Sequence, residues 1–348
     1  MKDINELTRP NILSLDSLLQ TDNRKCGQTD GIFLDANENP YNFPWNRYTD
    51  SQHTELKKKI SRVKKIPEEC IFTGSSSDGI ADLLYRCFAE PKSDNVVAIE
   101  PTYGAYKTLA DINGVEYRPV RLGENFRLSA QDVLSACDGN TKMIWLCSPN
   151  DPTGNELQRD EVVKIITGFE GLVVVDEAYS DFSAAQPLRH ELYRYPNLIV
   201  LDTFSKAWGC AGIRLGLAYA FPDIIDIIDK VKLPYGINAI TQEGIMKMLD
   251  RRYDVDKWKN IIIAERERMT EAFRLLPSCE KVYPSDANFF LARMTDATAV
   301  YSYLKAKGIM VKDMAGVTAC ENCLRITIGS KTENSRLLAA LRLPEIEE

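Results

Sequence analysis

Several short apolar runs punctuate the chain without polar alternation: Val96–Ile99, Met143–Cys147, Leu172–Val175, Leu198–Leu201 and Leu215–Tyr219. Runs of this kind predict strands buried on both faces. Stretches with helical spacing lie between them, at Tyr103–Ile112, at Asp160–Gly168 and from Ile80 to Leu84. Strands alternating with helices predict an α/β fold, a mainly parallel sheet covered on both faces. From Ile224 to Leu276 the pattern is helical. The tail then carries short strands, Phe289–Ala292 and Leu324–Ile328, with a helix between and one after, which predicts a smaller α+β domain. At the other end, residues 1–30 read as an extended arm with one amphipathic piece, Ile12–Leu19, and residues 31–40 as a brief strand ending in a polar turn. Glu55–Lys65 is a basic helical stretch whose plain reading is a solvated face. The division expected is an arm (1–30), a large domain (31–245) and a small domain (246–348) with which the arm is able to pack.

Composition narrows the function. A chain of 348 residues is long enough for two cores. A net charge of −7 disfavours a nucleic-acid partner, so any anionic ligand must be held by local cations and backbone amides. The 9 cysteines are scattered and mostly flanked by apolar residues, which fits reduced thiols. Cys320 and Cys323 form the sole CxxC, too little for a zinc site. The 2 histidines, His53 and His190, lie in polar sequence and leave no histidine triad or multi-histidine metal site. The start of the chain has no apolar core of a secretory signal, and no run approaches a membrane span. A cytoplasmic enzyme without metal, drawing its chemistry from a lysine, tyrosines, carboxylates or a cofactor, is the expectation.

In open α/β sheets, ligands bind at the carboxyl ends of the strands, and several polar sets fall there. Gly74–Gly79, opening a helix, can aim backbone N–H groups at a phosphate; its plain reading is a capped turn. Asp176 ends an apolar strand, where a carboxylate needs a cation such as a protonated ring nitrogen; its plain reading is a helix cap. Tyr179 follows three residues on. Asn150–Gly154 is a polar turn at another strand end. Ser205 and Lys206 follow the strand Leu198–Leu201, with Arg214 beyond. A lysine is usually a solvated surface group, but this one sits among small residues and glycines beside a second cation, which suits a nucleophilic amine.

Each set alone is weak. In order, and with the stretches LDANENP (34–40), NRY (46–48), PTYGAY (101–106), CSPNDPTG (147–154), VVDEAY (174–179), TFSKAWGCAGIRLG (203–216), LPYGIN (233–238) and CLRITIG (323–329), the chain resembles the fold type I pyridoxal-phosphate-dependent aminotransferases over essentially its whole length. Among them it is most similar to the branch acting on histidinol phosphate. The resemblance implies a sheet of the seven-stranded type, pyridoxal 5′-phosphate as cofactor and a homodimer with shared active sites. It implies that Lys206 bonds the cofactor covalently and moves a proton, that Asp176 pairs with the ring nitrogen, and that Tyr179 bonds the ring hydroxyl. Tyr103 would stack on the ring. The phosphate would be held by Ser77, Asp78, Ser205, Arg214 and the partner subunit's Tyr48, while Asn150, Asp151 and Thr203 complete the cofactor set. Arg325, Lys312, Asn37 and Tyr235 would meet the substrate. The implied reaction is L-histidinol phosphate plus 2-oxoglutarate to imidazole acetol phosphate plus L-glutamate, in histidine biosynthesis. An aromatic amino acid aminotransferase or a threonine-phosphate decarboxylase on the same frame is the alternative, and a catalytically lapsed paralogue a further one.

The chain departs from the pattern at particular positions. Asp151 stands where an asparagine usually donates to the ring oxygen, and an ionised aspartate cannot donate. Either Asp151 is protonated, or the ring oxygen keeps its proton, or Asp151 points away and Asn150 substitutes. The arm lacks the usual tyrosine near Leu18, and Lys312 replaces an arginine, keeping charge but losing the bidentate fork. Ser75, Ser76 and Gly79 also differ from the usual phosphate turn.

Overall fold

The structure, a computed structural model, describes residues 2–15 and 32–342. Strands β1 (Ile71–Ser75), β2 (Asn95–Glu100), β3 (Glu116–Arg121), β4 (Thr141–Cys147), β5 (Leu172–Asp176), β6 (Leu198–Thr203) and β7 (Leu215–Tyr219) form one sheet in the order β1-β7-β6-β5-β4-β2-β3. β2 to β6 are parallel, and β7 runs antiparallel to both β6 and β1. The strands lack polar alternation because both faces are covered. Val173 and Val175 of β5 point into one apolar layer with Ile144, Leu146, Leu198 and Val200. Leu172 and Val174 point into the other with Met143, Trp145, Ile199 and Leu201.

Some expectations are corrected. No strand forms over 32–40, where Ile32 and Leu34 are each 90% exposed. The basic helix, Thr54–Lys64, is not simply solvated. It buries Leu56 and Ile60, and the buried Lys64 donates from Nζ to Asp202 at 2.8 Å. His53 is also buried, with φ of 52° and Nδ1 2.9 Å from the Thr73 hydroxyl; burial, then Lys232 and Lys57, lower its pKa to about 4.

A second, antiparallel sheet contains β8 (Cys279–Val282), β9 (Phe289–Met294), β10 (Lys312–Asp313) and β11 (Cys323–Thr327), in the order β10-β11-β9-β8. The long helix Arg252–Arg274 and the helices Ala297–Ala306 and Lys331–Leu341 share a core with it around Phe273, Phe290, Leu324 and Leu337. The described part of the arm packs on the first unit rather than the second. Leu7 and Ile12 join the apolar layer of Leu84, Phe88 and Ile228, and Arg9 pairs with Glu90 at 3.0 Å. The piece expected over Ile12–Leu19 is a single turn of helix at Pro10–Leu13 in its described part; Leu18 and Cys26 lie outside the described residues. Among the described residues no helix is long and apolar enough to cross a membrane.

Candidate active site

A cavity of about 260 Å3 opens at the carboxyl ends of β1, β4, β5 and β6. At one end lies the turn between β1 and the helix Ser76–Phe88. The opening turn of a helix leaves N–H groups without intrahelical partners and carries the positive end of its dipole. Ser76, at φ 67°, is pinned by its N–H donating to the Arg214 carbonyl at 3.1 Å. Ser77, Asp78, Ser205 and Arg214 line this end. Thr203 fixes Ser205 through two bonds: its hydroxyl accepts from the Ser205 N–H at 3.0 Å and donates to the Ser205 hydroxyl at 2.9 Å. The Asp78 carboxylate accepts from the Tyr103 hydroxyl at 3.0 Å and lies 3.6 Å from the Arg214 guanidinium. Asp78 can therefore offer an anion its N–H alone; the expected side-chain contact is replaced by the placing of Tyr103 and Arg214.

Gly216 shows why this turn sits where it does. A Cβ there would lie 2.3 Å from the Ser76 carbonyl carbon and 2.4 Å from the Ser77 nitrogen, so β7 must be bare for the turn to rest on it. Gly216→Ala is expected to cost about 2–3 kcal/mol through overpacking and to weaken cofactor binding. Urea unfolding and a cofactor titration check the two effects separately.

At the other end Asp176 terminates β5, paired in register with Cys147 of β4. Its buried carboxylate accepts from the Tyr106 hydroxyl at 2.9 Å and from the Ala178 N–H at 3.0 Å. Burial pushes its pKa up to about 6, against these hydrogen bonds. A carboxylate so placed is a site for a cation. Tyr106, missed in the sequence, is fully buried and stacks on Trp145 with centroids 4.9 Å apart. Its one signal was its position three residues after Tyr103, which alone reads as core.

Lys206 is exposed to the cavity, its Nζ 5.0 Å from the Tyr179 ring centroid. The Tyr179 hydroxyl donates to Asp151 Oδ2 at 2.9 Å, and Arg325 of β11 donates to Asp151 Oδ1. Asp151 thus faces the cavity as an acceptor. Asn150 does not reach it: its amide nitrogen donates to the Pro101 carbonyl and the Thr153 hydroxyl, and its oxygen accepts from Thr102. It holds the turn instead, so the expected cofactor contact and the substitution of Asn150 for Asp151 both fall away. Four further expected residues do not line the cavity of their own chain. Tyr48 and Tyr235 stack on each other with centroids 4.5 Å apart, and Asn37 lies on the exposed 32–48 segment. Lys312 pairs in register with Arg325 on the neighbouring strand but is exposed.

The donor set fits pyridoxal phosphate. A helix terminus with Arg214 suits its phosphate, Asp176 suits a protonated ring nitrogen, and Lys206 offers an amine for its aldehyde. A backbone cradle kept open by Gly216 fits the close approach of an anion.

Comparison with known proteins agrees with this geometry. The model of the family "Aminotransferase class I and II" matches residues 33–341, and the chain belongs to that family. Within it, the chain is 51% identical to the histidinol-phosphate aminotransferase of Bacteroides thetaiotaomicron over 98% of its own length and 99% of that protein's. It is 46% identical to the enzyme of the same name from Parabacteroides distasonis, with the same coverage. The histidinol-phosphate aminotransferase of Sinorhizobium meliloti, solved in complex with pyridoxal-5′-phosphate, superposes with a TM-score of 0.78 at 25% identity, covering 86% of this chain and 82% of that one. That of Clostridium acetobutylicum shares the fold, with a TM-score of 0.79 at 21% identity over 86% of this chain and 90% of that one.

Proposed function

We propose that the chain transfers the amino group of L-histidinol phosphate to 2-oxoglutarate, a step of histidine biosynthesis. The cofactor is pyridoxal 5′-phosphate. The observation that carries the reading is the convergence on one cavity of an amine, a buried carboxylate, a phosphate-competent helix terminus and an anion-binding guanidinium. Half-identity over nearly the full chain to enzymes named for that substrate supports it.

Bound there, the cofactor supplies an electron sink that lets a substrate Cα–H bond ionise. Lys206 Nζ would hold the cofactor covalently and, once freed by the substrate amine, would move the Cα proton as general base and acid. Asp176, oriented by Tyr106 and the Ala178 N–H, keeps the ring nitrogen protonated. Ser77, Ser205 and Arg214 hold the phosphate, and Tyr103 covers the ring. Arg325 takes the anionic end of either substrate, the phosphate of the donor or a carboxylate of the acceptor.

A second copy of the chain completes the site in this reading. The 32–48 segment exposes Ile32, Leu34, Tyr41 and Phe43 at 90%, 90%, 78% and 89%, together with Trp45 and Tyr48. An apolar set of this density marks a protein interface. The partner subunit's Tyr48, Asn37 and Tyr235 would then reach the cavity, and the cytoplasm is the compartment expected.

Coupled assays with histidinol phosphate, phenylalanine and threonine phosphate test the substrate. Glutamate formation is expected with histidinol phosphate at a kcat/KM well above that with phenylalanine. A preference for phenylalanine, or carbon dioxide release from threonine phosphate, assigns the alternatives; no turnover of any by the yellow holoenzyme assigns a lapsed paralogue.

A further inference from the structure

Asp151 is more than a replacement for an asparagine. Its side chain is 7% exposed, and each of its oxygens has a donor, Tyr179 on Oδ2 and Arg325 on Oδ1. Its backbone cannot swing away. The turn that carries it is tied by the Gly154 N–H to the Asn150 carbonyl at 2.7 Å, and by the Asp286 N–H to the Gly154 carbonyl at 2.7 Å. Gly154, at φ 83°, lies so close to the second sheet's unit that a Cβ would be 2.7 Å from the Ser285 hydroxyl. Arg325, by contrast, keeps 26% of its side chain exposed toward the cavity, with its guanidinium 5.3 Å from the Phe289 ring centroid.

We infer that Asp151 is the resident counter-ion of Arg325 and determines how strongly this end of the cavity attracts an anion. A guanidinium carries five N–H donors. Asp151 occupies Nη1 and leaves other donors for a ligand, so an incoming anion joins the pair rather than replacing it. The ligand then feels the field of Arg325 reduced by that of Asp151. Asp176 and Asp78 also line the cavity, Lys206 and Arg214 oppose them, and Lys312 stands beside Arg325 across the strand pair. The immobile carboxylate in direct contact is the nearest of these charges to Arg325. An asparagine in its place would hydrogen-bond Arg325 without neutralising it. The consequence for the reaction is a subsite of moderate affinity. A transaminase must accept a phosphate-bearing donor and a carboxylate-bearing acceptor alternately and release both products. A half-neutralised arginine binds each while holding neither tightly.

The inference rests on Arg325 being the anion site, as in the proposed function, and the test separates the two. Holoenzyme is titrated calorimetrically at pH 8 with inorganic phosphate, mostly dianionic there, and with acetate. Asp151→Asn is expected to tighten phosphate by roughly tenfold and acetate by roughly threefold, because the removed repulsion scales with ligand charge. Asp151→Ser, which removes the charge with a different shape, is expected to move both in the same direction. If Arg325→Gln leaves both affinities unchanged, the anion does not bind at Arg325, and the substrate assignment of that residue falls with the inference. If Arg325→Gln weakens binding but the Asp151 variants do not strengthen it, or strengthen both anions equally, the counter-ion role alone is overturned.

Discussion

Replacing Lys206 with alanine is expected to lower turnover of histidinol phosphate by about 10⁴-fold or more, since general acid–base catalysis by one positioned group contributes about 10²–10⁴ and the covalent hold on the cofactor is lost as well. Lys206 is the lysine among the described residues that line the cavity. Lys64, packed against Phe204 and Trp208 with its Nζ 5.7 and 5.5 Å from their centroids, is buried and paired with Asp202, so it cannot stand in. Borohydride treatment followed by intact-protein mass spectrometry checks the covalent role. Wild type retains the cofactor mass after denaturation, and the variant releases it. A variant that still traps the cofactor, or turns over within tenfold of wild type, would place the reactive amine elsewhere.

Asp176→Asn is expected to act with opposite signs on activity and stability. Loss of a preorganised charge facing the ring should reduce kcat by about 10²–10³-fold. The cofactor-free protein should instead gain stability at pH 8. Burial raises the Asp176 pKa from 3.8 to about 6. A carboxyl whose folded pKa is raised stabilises the fold fully below its unfolded pKa and loses that contribution as pH rises through the folded one. At pH 8 the ionised form therefore costs about 3 kcal/mol. The amide returns about 1 kcal/mol of this, because it cannot accept from both the Tyr106 hydroxyl and the Ala178 N–H. A net gain of about 1–2 kcal/mol is expected at pH 8, shrinking toward pH 4. Urea unfolding of apo wild type and variant at the two pH values measures it. An apo variant less stable than wild type at pH 8 contradicts the assignment of Asp176 as an uncompensated buried charge.

Much of this site was legible because its residues end continuous apolar strands. Asp176 follows Leu172–Val175, Ser205 and Lys206 follow β6, and the 147–154 turn follows β4. The helix-opening turn at Ser76–Asp78 was legible from its small residues. The rest was hidden for definite reasons. β3 is an edge strand with Pro119 and three charged residues among its six, EYRPVR, and carries no apolar signature. The 32–40 segment has strand-forming residues but is held to residues 46–48 by side-chain bonds, such as Asn46 to the Asn39 carbonyl, rather than by a strand ladder. Lys64 looked solvated because its partner Asp202 lies 138 residues away. The Asp151–Arg325 pair spans 174 residues and two sheets, a contact that no local pattern encodes.

The two sheets contribute to the cavity unequally. Ser77, Asp176, Lys206 and Arg214 all hang from the first, whereas Arg325 alone among the lining residues comes from the second. The anion-facing guanidinium and the amine-carboxylate end of the cavity thus come from separate units, joined through Asp151. Substitutions along β10 and β11 act on the Arg325 end from the second unit, whereas Asp151 reaches the same end from the first, so a library aimed at new substrates should start from those two strands and hold Asp151 fixed.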